Sequence, residues 1–262
     1  MPLLPEYSLA GRVALLATSD GDDAPLLAQA LAAGGARVFV VARRPDKLDA
    51  ALTALASSGA SGYGGVTANL ATADGLRLAL EAFDQAFVDA AHPEHPLPDI
   101  LVNDARSLLA RPFLKIDPAE WEEVYARNVR ATVNLCREAG LRMLAGGYGR
   151  IVNIISGLAE RGMINGSAFS VTQAALLALT RSLAVEWGRH NIRVNALGTG
   201  WTTAGDIPLE EQRRELLVRY VPLRRRGHPR DLAPLLVYLC SEACDYTTGQ
   251  PVYVDGGLNA RA

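Results

Sequence analysis

The sequence predicts an α/β protein: one doubly wound domain over residues 1–262, with a parallel sheet of about seven strands and helices on both faces. Three observations carry that prediction. Short apolar, β-branched runs alternate with helix-patterned stretches from one end of the chain to the other. Nearly half the residues are apolar (49%), enough for a sizeable core, while aromatics are few and Gly and Ala abundant, which suits helices packed tightly on a sheet. No repeat and no low-complexity linker divides the chain.

The elements follow in order. "RVALLATS" is a strand ending in small polar residues, and "APLLAQALAAGGA" is a helix with apolar residues along one face. "RVFVVARR" is a second strand, followed by a helix from about Asp46 to Ser57. "GYGGVTANL" gives a third strand, and a helix runs through Phe87 to a Pro-rich connector, "AHPEHPLPD". "DILVND" is the fourth strand, followed by a long helix over about Pro118–Ala145. "GRIVNIIS" is the fifth, followed by a helix in "SAFSVTQAALLALTRSLA". "IRVNALGTG" is the sixth strand and "PVYVDGG" the last. In such a sheet a ligand binds at the carboxyl ends of the strands.

Composition excludes several function classes. The net charge is −2, and no basic stripe points to nucleic acid. The run Arg224-Arg225-Arg226 precedes Gly227 and Pro229 and reads as a solvated turn or an oligomer contact. Cys136, Cys240 and Cys244 have no framework spacing and suggest a reducing compartment; the last two fall four apart on an expected helix and read as small core residues. His92 and His95 flank Glu94 in the connector, but three prolines there favour a rigid loop, and no metal is expected. The N-terminal "MPLLPEYSLAGR" is not a signal peptide, and no apolar run approaches membrane-spanning length. A cytoplasmic protein is expected.

The order of these segments resembles the classical short-chain dehydrogenase/reductase family, a Rossmann-type fold, over essentially the whole chain. "ILVNDAR" lies over the fourth-strand motif N-N-A-G, with Asn103 inside it. "RNVRATVNL" places Asn128 at the catalytic asparagine, and "GRIVNIISG" places Ser156 at the catalytic serine. "HNIRVNALGTG", "VPLRRRGHPRDLA" and "TTGQPVYVDGG" match further family segments. The resemblance implies hydride transfer between NAD(P) and an alcohol or carbonyl carbon. A tyrosine would act as general acid or base, and a lysine four residues on would lower its pKa and hold the nicotinamide ribose.

The tyrosine of the family lies thirteen positions after the serine, where this chain has Phe169, and the lysine position is Gln173. Phe has no ionisable proton and Gln has no charge. The two lysines, Lys47 and Lys115, lie far along the chain, and Tyr148, before the fifth strand, is poorly placed as a substitute. The glycine loop departs as well. The three glycine positions of T-G-x-x-x-G-x-G are Thr18, Asp22 and Ala24. Those glycines let a pyrophosphate approach the backbone at a helix N-terminus. Asp22 and Asp23 put negative charge there, and they are expected to cap the helix or to occupy the anion site themselves. Pro25 suits the first helical turn. Asn69 replaces an adenine-contacting Asp, Arg106 replaces the last glycine of N-N-A-G, and Thr199 replaces a proline after the sixth strand. Arg43 and Arg44 read equally as a 2′-phosphate site and as surface residues.

The expectation is a catalytically silent member of the family, a structural or regulatory subunit in a dimer or tetramer with an active paralogue. This is similar in kind to the inactive subunit of a heteromeric hydroxyacyl-CoA dehydrogenase. No cofactor is expected, or at most weakly held NADP or NAD. The alternatives are an NAD(P)-dependent oxidoreductase with an unorthodox active site, a non-redox enzyme using the vacated cofactor pocket, and a dinucleotide sensor.

Overall fold

The computed structural model describes residues 4–18, 20–87 and 98–260. The connector that holds His92 and His95 lies outside the described residues. The strands are β1 (Val13–Ala17), β2 (Arg37–Ala42), β3 (Tyr63–Thr67), β4 (Ile100–Asp104), β5 (Gly149–Ser156), β6 (Ile192–Thr199) and β7 (Pro251–Val254). They form one sheet in the order β3-β2-β1-β4-β5-β6-β7, and each neighbouring pair is parallel. The helices are α1 (Ala24–Ala33), α2 (Pro45–Ser57), α3 (Ala73–Phe87), α4 (Pro118–Tyr125), α5 (Ala131–Gly146), α6 (Ser167–Trp187), the short α7 (Leu209–Gln212) and α8 (Pro229–Cys240). The chain reverses its winding between β1 and β4, so the crevice for a ligand opens beyond Ala17 and Asp104.

Side chains alternate across each strand and feed two cores. Leu16, Val38, Val40, Val102 and Ile154 pack with Leu27 and Leu31 of α1, Leu48 and Leu55 of α2, and Leu232 and Leu236 of α8. Leu15, Phe39, Val41, Leu101 and Ile151 face the other way, against Phe83 of α3, Leu135 and Met143 of α5, and Ala184 of α6. Period-2 alternation between two helix layers is what a doubly wound sheet requires.

Three expectations change. The long helix over about Pro118–Ala145 is interrupted by a π-turn at Ala126–Arg130, which carries Asn128. Cys240 ends α8, whereas Cys244 lies in a separate 3₁₀ turn; both are free and buried, as is Cys136. Finally, the helical stretch Ser167–His190 is long and apolar enough to cross a membrane by length and composition. Ser, Thr and Gln residues break its apolar run in the sequence and so hide its length. In the fold Phe169, Leu176, Leu177 and Ala184 are buried, while Val171 and Val185 are exposed.

Candidate functional site

The crevice at the β1–β4 reversal is occupied by the protein's own side chains. Arg106, two residues beyond β4, turns back over the strand ends. Its Nε donates to Asp104 Oδ1 at 2.6 Å and its Nη2 to Asp104 Oδ2 at 3.0 Å. Nη2 also donates to Asp23 Oδ2 at 2.6 Å, and Nη1 to Thr199 Oγ1 at 3.1 Å. One guanidinium thus ties β4 to the entrance of α1 and to the end of β6. The clamp is nearly dry: the side chain of Asp104 is 1% exposed, that of Asp23 10% and that of Arg106 11%. Burial alone would lower the Arg106 pKa, but Asp104 and Asp23 outweigh it and hold the pKa above the ordinary value.

The expectation that Asp22 and Asp23 cap the helix is corrected. Asp23 takes the N-cap position of α1 with helical backbone angles, and its side chain makes no capping bond. Pro25 has no N–H to offer and Leu26 N–H donates to the Asp23 carbonyl, so the carboxylate goes to the buried cation of Arg106. Asp22 pairs instead with Lys47 of α2, Nζ to Oδ1 at 2.5 Å.

Asp20 completes the set. It accepts from Arg43 at 2.6 Å and lies 3.6 Å from Arg127. Arg44 pairs with Asp46. Both pairs are exposed, and a 2′-phosphate at Arg43 or Arg44 would have to displace the carboxylate. Between Asp20, Arg43, Asn69 and Arg127 only about 50 Å³ remains. Asn69 Oδ1 accepts from Ala71 N and holds its own turn. Thr18 N–H donates to Val41 O, and Asn103 Nδ2 donates to Asn153 Oδ1. These two positions thus serve strand ends and core, and Ala24 is buried.

The family's catalytic positions are also turned to structural use. Gln173 is fully buried; its Oε1 accepts from Ser156 N at 2.8 Å and its Nε2 donates to Ala105 O at 2.8 Å. It staples the ends of β4 and β5 with one amide, which a lysine could not do because it has no acceptor. Asn128 is held by Ser107, N–H to Oδ1 at 2.9 Å and Nδ2 to O at 3.0 Å, and donates to Thr172 Oγ1. Phe169 is buried, with its ring on the wall of a cavity it shares with Ser156. Ser156 Oγ accepts from Leu158 N, which leaves its own proton available to a ligand. Tyr148 lies at the opposite, amino end of the strands, its ring centroid 3.8 Å from Arg12 Cζ and 4.4 Å from Arg150 Cζ. Burial raises its pKa against those two cations. The Arg224–Arg226 run is a turn whose charges are met: Arg225 pairs with Asp231 and Arg226 with Glu215.

What remains open is a cavity of about 350 Å³ on the substrate side of the clamp. Ser156, Phe169, Arg106 and Thr199 line it together with Arg161, Trp201 and Asn259. Asp20 and Arg161 escape a sequence reading, since neither lies at a motif position; Asp104 stands at the second asparagine of N-N-A-G, where its charge is not singled out. The pairing of Asp104 with Arg106 had one signal, two opposite charges two residues apart after a strand. Among the described residues no cluster of His, Cys, Asp and Glu could hold a metal.

A dinucleotide does not fit this arrangement as it stands. Its pyrophosphate belongs at the N-terminus of α1, where Asp23 and Arg106 meet, and the cations beyond the strand ends already hold carboxylates.

Comparison with known proteins places the chain. A family model described as enoyl-(acyl carrier protein) reductase matches residues 24–259. The 3-oxoacyl-(acyl-carrier-protein) reductase of Aquifex aeolicus is 30% identical over 97% of this chain and 99% of its own. The 2-dehydro-3-deoxy-D-gluconate 5-dehydrogenase of Escherichia coli is 30% identical over 99% of this chain and 100% of its own. A gluconate 5-dehydrogenase from Burkholderia cenocepacia, solved with NADP and tartrate, superposes with a TM-score of 0.84 at 25% identity, covering 98% of both chains. The relatives are thus oxidoreductases, and their names speak for the alternative of an oxidoreductase over that of a silent subunit; none supports a particular partner paralogue. With the family model matching residues 24–259 and the fold shared over 98% of the chain, the protein belongs to the short-chain dehydrogenase/reductase family.

Proposed function

We propose that this is a family member in which the dinucleotide half of the cleft is closed by its own ion pairs and the substrate half persists as a small-molecule pocket. It does not run tyrosine-driven hydride transfer. The observation that carries the reading is Arg106, whose guanidinium joins Asp23, Asp104 and Thr199 across the place a pyrophosphate would take. Phe169 and Gln173 agree with it: one offers no proton and the other is committed to Ser156 N and Ala105 O. The outer surfaces of α5 and α6 expose Val133, Leu141, Val171 and Val185, which supports a dimer or tetramer through those helices.

A second reading, an oxidoreductase with an unorthodox site, is favoured by the relatives and by the NADP in the Burkholderia structure. In it the cofactor displaces Arg106, and the Ser156 hydroxyl meets the substrate oxygen without a tyrosine beside it. Titration of the purified protein with NADPH and NADH, followed by calorimetry and nicotinamide fluorescence, separates the two. The closed-cleft reading expects no saturation at millimolar cofactor. Micromolar binding would overturn it in favour of the second.

A further inference from the structure

We propose that the 350 Å³ cavity beside Ser156 is a binding site for a small organic carboxylate with an apolar body, anchored by Arg161. The proposal rests on the reading of the substrate half as an open pocket. Its volume is at the small end of ligand sites.

The charges decide the ligand class. Of the charged groups lining the cavity, Asp22 is held by Lys47, and Asp23 and Arg106 hold each other. Asp255 accepts from Gly257 N at 2.9 Å and Asn259 N at 2.8 Å and so closes the C-terminal turn. Arg161 differs. Among the described residues it has no carboxylate within ion-pair distance; its Nη1 reaches Leu258 O only at 3.5 Å, and its Nε is buried with no partner. Its neighbour Glu160 faces Arg181 instead. A part-buried guanidinium with an unmet N–H is complementary to a carboxylate, which takes two parallel N–H bonds.

Two more groups converge there. Ser156 Oγ has its proton free, since its oxygen already accepts from Leu158 N. Asn259 Oδ1 is buried without a donor, while its Nδ2 donates to Gly157 O. A ligand that carries a hydroxyl as well as the carboxylate satisfies both, accepting from Ser156 Oγ and donating to Asn259 Oδ1. Leu108, Leu158, Met163, Phe169, Trp201 and Leu258 give the wall a large apolar part. That surface selects an acid with a hydrocarbon or aromatic body over a bare inorganic anion.

The test needs no dinucleotide. Butyrate, hexanoate and phenylacetate are titrated into the full chain by calorimetry and by tryptophan fluorescence, which Trp201 on the wall reports. Phenylacetamide and phenethylamine serve as neutral and cationic controls. The expected result is saturable binding of at least one carboxylate and weaker binding of both controls. Arg161→Met should weaken that binding by about tenfold or more, and Arg161→Lys by less. Phe169→Trp, which puts a larger ring on the wall and narrows the cavity, should weaken it as well; melting curves establish that each variant is folded. Amide binding equal to the acid, preference for the amine, indifference to Arg161→Met, or no saturation by any carboxylate at millimolar concentration would overturn the proposal. NADPH binding would overturn the closed-cleft reading and leave the carboxylate result standing, so the two failures are distinct.

Discussion

Arg106→Leu is the substitution with the largest consequence for this reading. The side chain makes two charge-assisted bonds to Asp104, one to Asp23 and one to Thr199. Leucine keeps the apolar stem and removes the cation, so Asp104 and Asp23 lose it together while their side chains are 1% and 10% exposed. Removing one partner of a buried pair costs about 3–5 kcal/mol, because the remaining charge stays desolvated. At two to four degrees per kcal/mol, that corresponds to a melting temperature lower by roughly 6–20 °C. Urea unfolding should show the same loss as a lower midpoint at unchanged slope. The triple variant Arg106→Leu, Asp104→Asn, Asp23→Asn should recover most of it, since no buried charge is left unmatched. A loss below about 1 kcal/mol, the size of an exposed pair, would refute the clamp: Arg106 would then be a mobile surface residue and the crevice open to cofactor.

Other outcomes follow from the same geometry. Gln173→Ala should cost about 2–4 kcal/mol in urea unfolding, because Ser156 N–H and Ala105 C=O lose a buried partner. Phe169→Tyr with Gln173→Lys should give no carbonyl-dependent NADPH oxidation while Arg106 is in place; appearance of that activity would mean the crevice opens readily. Burial pushes the Cys136 thiol up to about 12 and raises Cys240 and Cys244 above the usual range. A thiol reagent at pH 8 should therefore label none of the three in the folded chain and all of them in denaturant. The Arg225 side chain holds Asp231 below its ordinary value of 3.8. A depressed carboxylate stabilises the fold above its unfolded pKa, and that contribution is lost as pH falls through the folded value. Asp231→Asn should thus flatten the acid end of the stability profile below about pH 4 and leave its slope near neutrality unchanged.

The architecture was legible because it rests on periodicity. Each strand run in the sequence matches an observed strand to within a few residues, since burial on both faces enforces apolar runs such as "RVFVVA". The absence of the family's tyrosine and lysine was legible through the resemblance, which puts Phe169 and Gln173 at their positions. What the sequence hid was the use made of the replacements. Asp23 read as a cap because helix N-termini favour carboxylates, yet a cation 83 residues further along claims it. Gln173 read as a loss, yet its amide does what neither a lysine nor an apolar residue does, accepting from one strand end and donating to another. Arg161 belongs to no motif, and its unmet N–H appears only in the fold, where no carboxylate of the described residues pairs with it. Long-range polar pairing has no period, so it leaves no trace in local pattern.

On the closed-cleft reading, the loop "SDGDDA" closes a phosphate site without dismantling the fold. Three carboxylates stand in the loop, Asp20, Asp22 and Asp23, and each meets a cation from elsewhere: Arg43, Lys47 and Arg106. A dinucleotide brings its negative charge to the same cations and must displace the carboxylates to reach them. The pairs are unequal, however. The Asp22 side chain is 76% exposed and that of Arg43 37%, so those two contacts are screened and worth about 0–1 kcal/mol each. The Arg106 pair is buried and shared with Asp104. Neutralising Asp20 or Asp22 should therefore leave NADPH affinity almost unchanged, whereas replacing Arg106 together with Asp23 should raise it. If Asp20→Asn alone admitted cofactor, the barrier would lie in the field of the loop as a whole and not in the clamp.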